Sequence, residues 1–281
     1  MRQIAERLMV AGVIVSGSAL WAGRAPAQSL TNPRDAVPAM SSGSASVARL
    51  AEGVPIAIHG NAARLSAGEI VARLLEKNQE RLVALERYES ERTYRVEYKG
   101  AGGEHHAEIK VRAEYTGPDH KRLTVVSESG SKLICDKVLR RLAESEQEAT
   151  AQSNRMQTTL GPGNYDAELV GEEMVALPGG PVRAWVLRVT PKVNNKFTYR
   201  GKVWVSADDY ATVKIQGEPA KNPSWWINRA SFESVYLRRG NMWLPATNVS
   251  SSHLRIGGEA TLTIAYGTYP VVVERPPKPQ D

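Results

Sequence analysis

From Tyr165 onward the chain alternates apolar and polar residues almost without pause, and a period of two is the backbone signature of half-buried β-strands. The segments "NYDAELVGEE", "VRAWVLRVTP", "GKVWVSADDYATVKIQGE", "ASFESVYLRR", "MWLPATNVSSS" and "GEATLTIAYG" are separated only by turn signals such as "LPGGP", "ADD", "RRGN" and "IGG". Strands joined by turns this short must run antiparallel, and no strand–helix–strand unit repeats to build a parallel sheet.

The half of the chain before Tyr165 adds helices. "SAGE" at Ser66–Glu69 is a capping-box pattern, and Ile70, Val71, Leu74, Leu75, Leu82 and Leu85 follow at helical spacing, which predicts a helix to about Arg87. In "ERTYRVEYKG" Tyr94, Val96 and Tyr98 share one face, opposite Arg95, Glu97 and Lys99. "HHAEIKVRAEY" alternates in the same way, so the Gly-rich "AGGE" between them makes a hairpin, and "KRLTVVSES" supplies a third strand. A second helix follows in "SKLICDKVLRRLAESEQEA", with Ile134, Val138 and Leu142 on one side and Arg140, Arg141, Glu144 and Glu146 on another.

The fold class is therefore α+β and mainly antiparallel β: about nine to eleven strands with two or three helices. The expected object is a half-open β-barrel whose concave face is covered by those helices. Tyr94, Val96, Tyr98, Ile109, Val111, Leu123 and Val125 are the expected inward set, and Leu74, Val138 and Leu142 the expected faces of a helical lid. The space between sheet and helices is either an apolar cavity suited to acyl chains or a fully packed core, and the pattern allows both.

The two ends read differently. Residues 1–27 carry Arg2 and Arg7, an apolar run from Leu8 to about Ala22 and a small-residue site at Ala25–Ala27, the layout of a cleaved secretory signal peptide. Residues 28–65 mix Ser, Ala, Pro and Gly and read as a flexible linker, residues 66–272 as the domain, and residues 273–281 as a Pro-rich tail. Export to the periplasm is the expectation, without a lipid anchor, since no cysteine stands at the cleavage site. Cys135 is the sole cysteine, so no internal disulfide forms, and its apolar setting reads as a small buried hydrophobe. With the leader's three arginines and one glutamate removed, the formal charge of +6 becomes +4. Basic and acidic residues are interspersed, which gives no footprint for nucleic acid.

Catalytic signatures are thin. His105 and His106 are adjacent, so on a strand they point to opposite faces and do not chelate one ion together. There is no G-x-S-x-G elbow, H-E-x-x-H or P-loop; "GPGNY" at Gly161–Tyr165 reads as a turn, and Asp208-Asp209 as turn residues rather than a catalytic pair. Asn248-Val249-Ser250 matches a glycosylation acceptor. The expectation is a chain without catalytic residues, metal or cofactor, acting as a monomer.

"GEPAKNPSWWINR", Gly217–Arg229, places two tryptophans in a loop broken by prolines. If the strand begins at Trp225, then Trp225 and Ile227 share one side of the sheet and Trp226 the other. One tryptophan then plugs or lines the barrel mouth while its neighbour sits at the rim, closing the barrel or touching a ligand.

The order helix, three strands, helix, long antiparallel run resembles the LolA/LolB-like group of outer-membrane lipoprotein-sorting proteins. The segments that carry the likeness are "LLEKNQERLVALERYESERTYRVEY", "SESGSKLICDKVLRRLAESE", "NKFTYRGKVWVSADDYATVKIQGEPAKNPSWWINRASFESVY" and "WLPATNVSSSHLRIGGEATLTIAYGTY". The resemblance implies an unclosed barrel with a helical lid that takes lipid or lipoprotein acyl chains into an apolar cleft. Its regulatory members imply the alternative, an envelope sensor or scaffold that binds a protein partner without lipid transport. An unrecognised hydrolase is the further alternative.

Overall fold

A computed structural model describes residues 54–55, 65–100, 102–117, 120–149, 159–195, 197–222, 225, 227–255, 257–267 and 271–273. Residues 1–27, expected to be a signal peptide, most of the expected linker 28–65, residues 274–281 of the Pro-rich end and Trp226 lie outside the described residues.

The period of two becomes one antiparallel sheet. Its ten long strands are β2 (Leu85–Gly100), β3 (Gly103–Thr116), β4 (His120–Gly130), β5 (Tyr165–Leu177), β6 (Gly180–Pro191), β7 (Tyr199–Ser206), β8 (Thr212–Pro219), β9 (Ile227–Arg239), β10 (Met242–Leu254) and β11 (Glu259–Tyr266). Two short strands join them: β1 (Val54–Pro55) pairs with β5, and β12 (Val271–Val273) with β2. The order across the sheet is β1-β5-β6-β7-β8-β9-β10-β11-β2-β3-β4. Among the ten long strands every pair adjacent in sequence is adjacent in the sheet except β4 and β5, and one seam joins strands distant in sequence, where β11 pairs with β2 through Ile264↔Tyr94 and Leu262↔Val96. The ends of this order, β1 and β4, do not meet, so the barrel stays open.

Two helices cover the sheet. α1 (Ala67–Ala84) starts at the reciprocal capping box, with the Glu69 amide donating to Ser66 Oγ at 3.2 Å and the Ser66 amide donating to the Glu69 carboxylate at 2.7 Å. It ends three residues short of the expected Arg87, because Leu85 turns to extended backbone and enters β2. There Arg87 and Tyr88 find ladder partners in Thr116 and Tyr115, and the two tyrosines stack with centroids 5.1 Å apart. Cross-strand pairing thus takes residues that periodicity alone assigned to the helix. α2 is one continuous helix in three parts: Lys132–Ile134, a π-helical turn at Cys135–Leu139, and Arg140–Ala149.

Each helix packs on its own half of the inner face. α2 buries Ile134, Cys135, Val138, Leu139 and Leu142 against Tyr94, Val96, Ile109 and Val111 of β2–β3 and against β9–β11. α1 buries Ile70, Val71 and Leu74 against Tyr165, Val186, Val203 and Ile215 of β5–β8. Register shifts occur in several of the ladders, and two local features have a plain cause. Pro245 cannot donate to a ladder, and the register of β9 against β10 shifts next to it, between Pro245 and Thr247. Gly201 and Gly217 face each other across β7 and β8, so close that a Cβ at either would stand within 2.4 Å of a backbone oxygen on the other strand.

Trp225 departs from the expected pattern. β9 begins only at Ile227, which is fully buried, whereas Trp225 lies in the preceding turn and is 70% exposed. Asn222 explains the late start: its side-chain amide donates to the carbonyls of Ile227 and Asn228 and holds the loop folded back. Arg255 donates to the Trp225 carbonyl at 2.7 Å and lies over its ring. Trp225 is therefore a surface residue held on the outside and does not share a face with Ile227.

Candidate functional site

The residues expected to line a cavity come together under α2. Tyr94, Val96 and Tyr98 from β2 and Ile109 and Val111 from β3 are buried, and Leu123 and Val125 from β4 pack partly buried beside them. Val138 and Leu142 of α2 sit on this set, while Leu74 of α1 belongs to the other half of the core. The expected lid is thus two separate covers. Beneath α2 the apolar space is filled by the helix's own side chains, with Leu139 completely buried. On the other half an apolar groove of about 380 Å³ stays half open between α1 and the start of β5, lined by Val71, Ala72, Leu75, Leu160 and Tyr165, with Lys192 among its lining residues.

Within the packed apolar half lies a polar centre that the pattern reading passed over. Glu146, read as part of the solvent side of the second helix, is 1% exposed. Arg92 of β2 is 2% exposed and Lys121 of β4 8% exposed, and both donate to Glu146 Oε1, Lys121 at 2.5 Å. The Tyr94 hydroxyl donates to Glu146 Oε2 at 2.6 Å. Arg92 also donates to the Tyr88 hydroxyl at 3.3 Å and lies over the Tyr266 ring, 4.8 Å from its centroid. Burial pushes the Glu146 carboxyl up, but the charges of Arg92 and Lys121 and hydrogen bonds from Lys121 and Tyr94 outweigh it and bring it down to about 2. Burial and the adjacent carboxylate push the Tyr94 phenol well above its usual range.

The signals for this centre were in the sequence. Arg92 is in phase with Tyr94, Val96 and Tyr98, and Lys121 with Leu123 and Val125, so both fall on the inward side of their strands. Glu146 follows Ile134, Val138 and Leu142 at a constant spacing of four. On a regular α-helix that spacing drifts around the axis, which is why Glu146 reads as lying off the apolar face. The wider π turn at Cys135–Leu139 advances less per residue, cancels the drift and returns Glu146 to the buried side.

Other polar candidates settle into structural roles. Cys135 is buried, its thiol donating toward the Ser129 carbonyl at 3.5 Å, and burial raises its pKa, the opposite of an activated thiol. Asp209 accepts from the Trp243 indole at 2.8 Å and from the Ala211 amide, and pairs with Arg81 of α1. It anchors the helix end to the β7–β8 turn. Asn248 of the glycosylation pattern is 4% exposed and donates to Ser234 at 2.7 Å, so its amide is not offered to solvent.

No protein-family model and no curated protein matches the chain. Solved structures that align with it include a DUF1329 family protein from Desulfovibrio piger, at 14% identity over 75% of this chain and 95% of that one, TM-score 0.42. They also include a putative outer membrane lipoprotein-sorting protein domain from Vibrio parahaemolyticus, at 12% identity over 75% and 95%, TM-score 0.37. A LolA superfamily protein from Nitrosomonas europaea aligns at 12% identity over 76% and 97%, TM-score 0.31. The descriptions of the last two name the group that the sequence resembles.

Proposed function

We propose that this protein is a non-enzymatic periplasmic binding protein that shelters an acyl chain of a lipid or lipoprotein between its sheet and its helices. The observation that supports it is how the inner face is covered. A closed barrel or a second sheet would bury that face for good, whereas here β2–β4 and β9–β11 are covered by one helix. That helix carries a π turn and is tied down through Glu146. A cover of this kind lifts as a unit and exposes Tyr94, Val96, Ile109 and Val111. Burying an acyl chain there gains ~0.8 kcal/mol per methylene, which offsets the loss of the displaced helix contacts in proportion to chain length. The groove beside α1, about 380 Å³, has the size of a small ligand pocket.

The test is to purify the mature chain from its native host and analyse its organic extract by mass spectrometry. Co-purifying lipid supports the binding function. A lipid-free protein in stoichiometric complex with a polypeptide supports the second reading, an envelope scaffold. One observation favours that reading: β4 ends the sheet, is hydrogen-bonded on one side only among the described residues, and exposes Val126 at 51%. Such an edge accepts an added strand from another chain.

A further inference from the structure

The polar centre under α2 is divided between cover and sheet. The three described donors to the carboxylate, Arg92 and Tyr94 on β2 and Lys121 on β4, stand on the sheet, and the acceptor, Glu146, stands on the helix. When α2 lifts, the carboxylate leaves with it and the donors stay on an apolar wall. We infer that this centre is a receptor for the anionic head of a single-chain amphiphile, a fatty acid carboxylate, whose place Glu146 holds while the helix is closed. This rests on the proposed acyl-binding function and adds the class of ligand to it.

The physical reason is the cost of an unpaired buried charge. Removing one partner of a buried ion pair is strongly unfavourable, because the other charge is left in a medium that does not solvate it. A neutral acyl ester sliding under α2 leaves Arg92 and Lys121 facing hydrocarbon. A carboxylate replaces Glu146 group for group: it takes Nη1 of Arg92, the Lys121 ammonium and the Tyr94 hydroxyl, in the geometry these donors already hold. Tyr266 against the Arg92 guanidinium and the Tyr88 hydroxyl on its Nη2 hold that guanidinium in place in the absence of the helix, since both belong to the sheet. The tail then lies along Val96, Ile109 and Val111, the surface that Val138, Leu139 and Leu142 vacate.

The test compares palmitate with methyl palmitate by titration calorimetry on the mature chain, with acetate as the head alone. Palmitate is expected to bind at least about tenfold more tightly than its ester, and acetate not to bind, since the head alone does not displace a packed helix. In Lys121→Met and in Tyr94→Phe, each first shown by circular dichroism to remain folded, the preference for acid over ester shrinks. Hydrogen exchange over 132–149 speeds up on adding palmitate to the unaltered chain. Equal binding of acid and ester overturns the inference and leaves the proposed function standing. Binding of neither overturns both. A preference for the acid that survives both variants, with exchange in α2 unchanged, places the head elsewhere and overturns the inference too.

Discussion

Glu146 shows how much a single buried carboxylate can determine in this protein. Its pKa is brought down to about 2 in the folded chain, below the ordinary 4.5. A depressed folded-state pKa contributes stability that is present above the ordinary value and lost as pH falls toward the folded one. Chemical denaturation of the unaltered chain should therefore lose a component between about pH 4.5 and pH 2 that Glu146→Gln lacks at every pH. At neutral pH Glu146→Ala should cost about 3 kcal/mol or more, since it strands Arg92 and Lys121. Trp225 gives the contrasting case. Trp225→Ala should change stability by no more than about 0.5 kcal/mol, whereas Ile227→Ala, two residues on and fully buried, should cost roughly 2–5 kcal/mol. Denaturant midpoints of the two variants check this directly. A tryptophan in a Pro-broken loop carries no sign in sequence of which side it faces; Asn222 and Arg255 decide that through contacts five and thirty residues away.

At the scale of elements, strands were more legible than helices. The alternation in β2, β3, β10 and β11 reads directly as burial, because successive strand side chains point to opposite faces whatever the neighbours are. α2 was harder, because its face depends on a local change of pitch. If the phase set at the π turn is what aims Glu146, inserting one alanine between Leu139 and Arg140 should rotate everything after it by about 100° about the axis. In that background Glu146→Gln should cost little more, and a double-mutant cycle by denaturant unfolding should return a coupling close to the whole effect of the single substitution. The Gly201–Gly217 crossing is a second element-scale device. Gly217→Ala drives a methyl into the Arg200 carbonyl, 2.4 Å away, and should cost about 1–3 kcal/mol in the same assay.

The described residues form one sheet with two covers, and its halves should differ in how they open. The ladder runs unbroken from β5 to β4, while α2 is held by side chains and by one carboxylate. Native-state hydrogen exchange should find the amides of α2 opening at lower free energy than those of β9 and β10 in the middle of the ladder. By itself the sequence determined the antiparallel class, the hairpins, the start of α1 and most of the inward-facing set from Tyr94 to Val125. These follow from short-range rules: a period of two, turn residues and a capping box act over a few residues and need no knowledge of the rest of the chain. Tertiary structure alone decided that β11 lies against β2, that the two helices cover separate halves, and that Arg92, Lys121 and Glu146 meet. Arg92 and Glu146 are 54 residues apart in the chain. A charge is read as solvent-facing from sequence because burying it alone is prohibitive, and only the fold supplies the partner that makes burial possible.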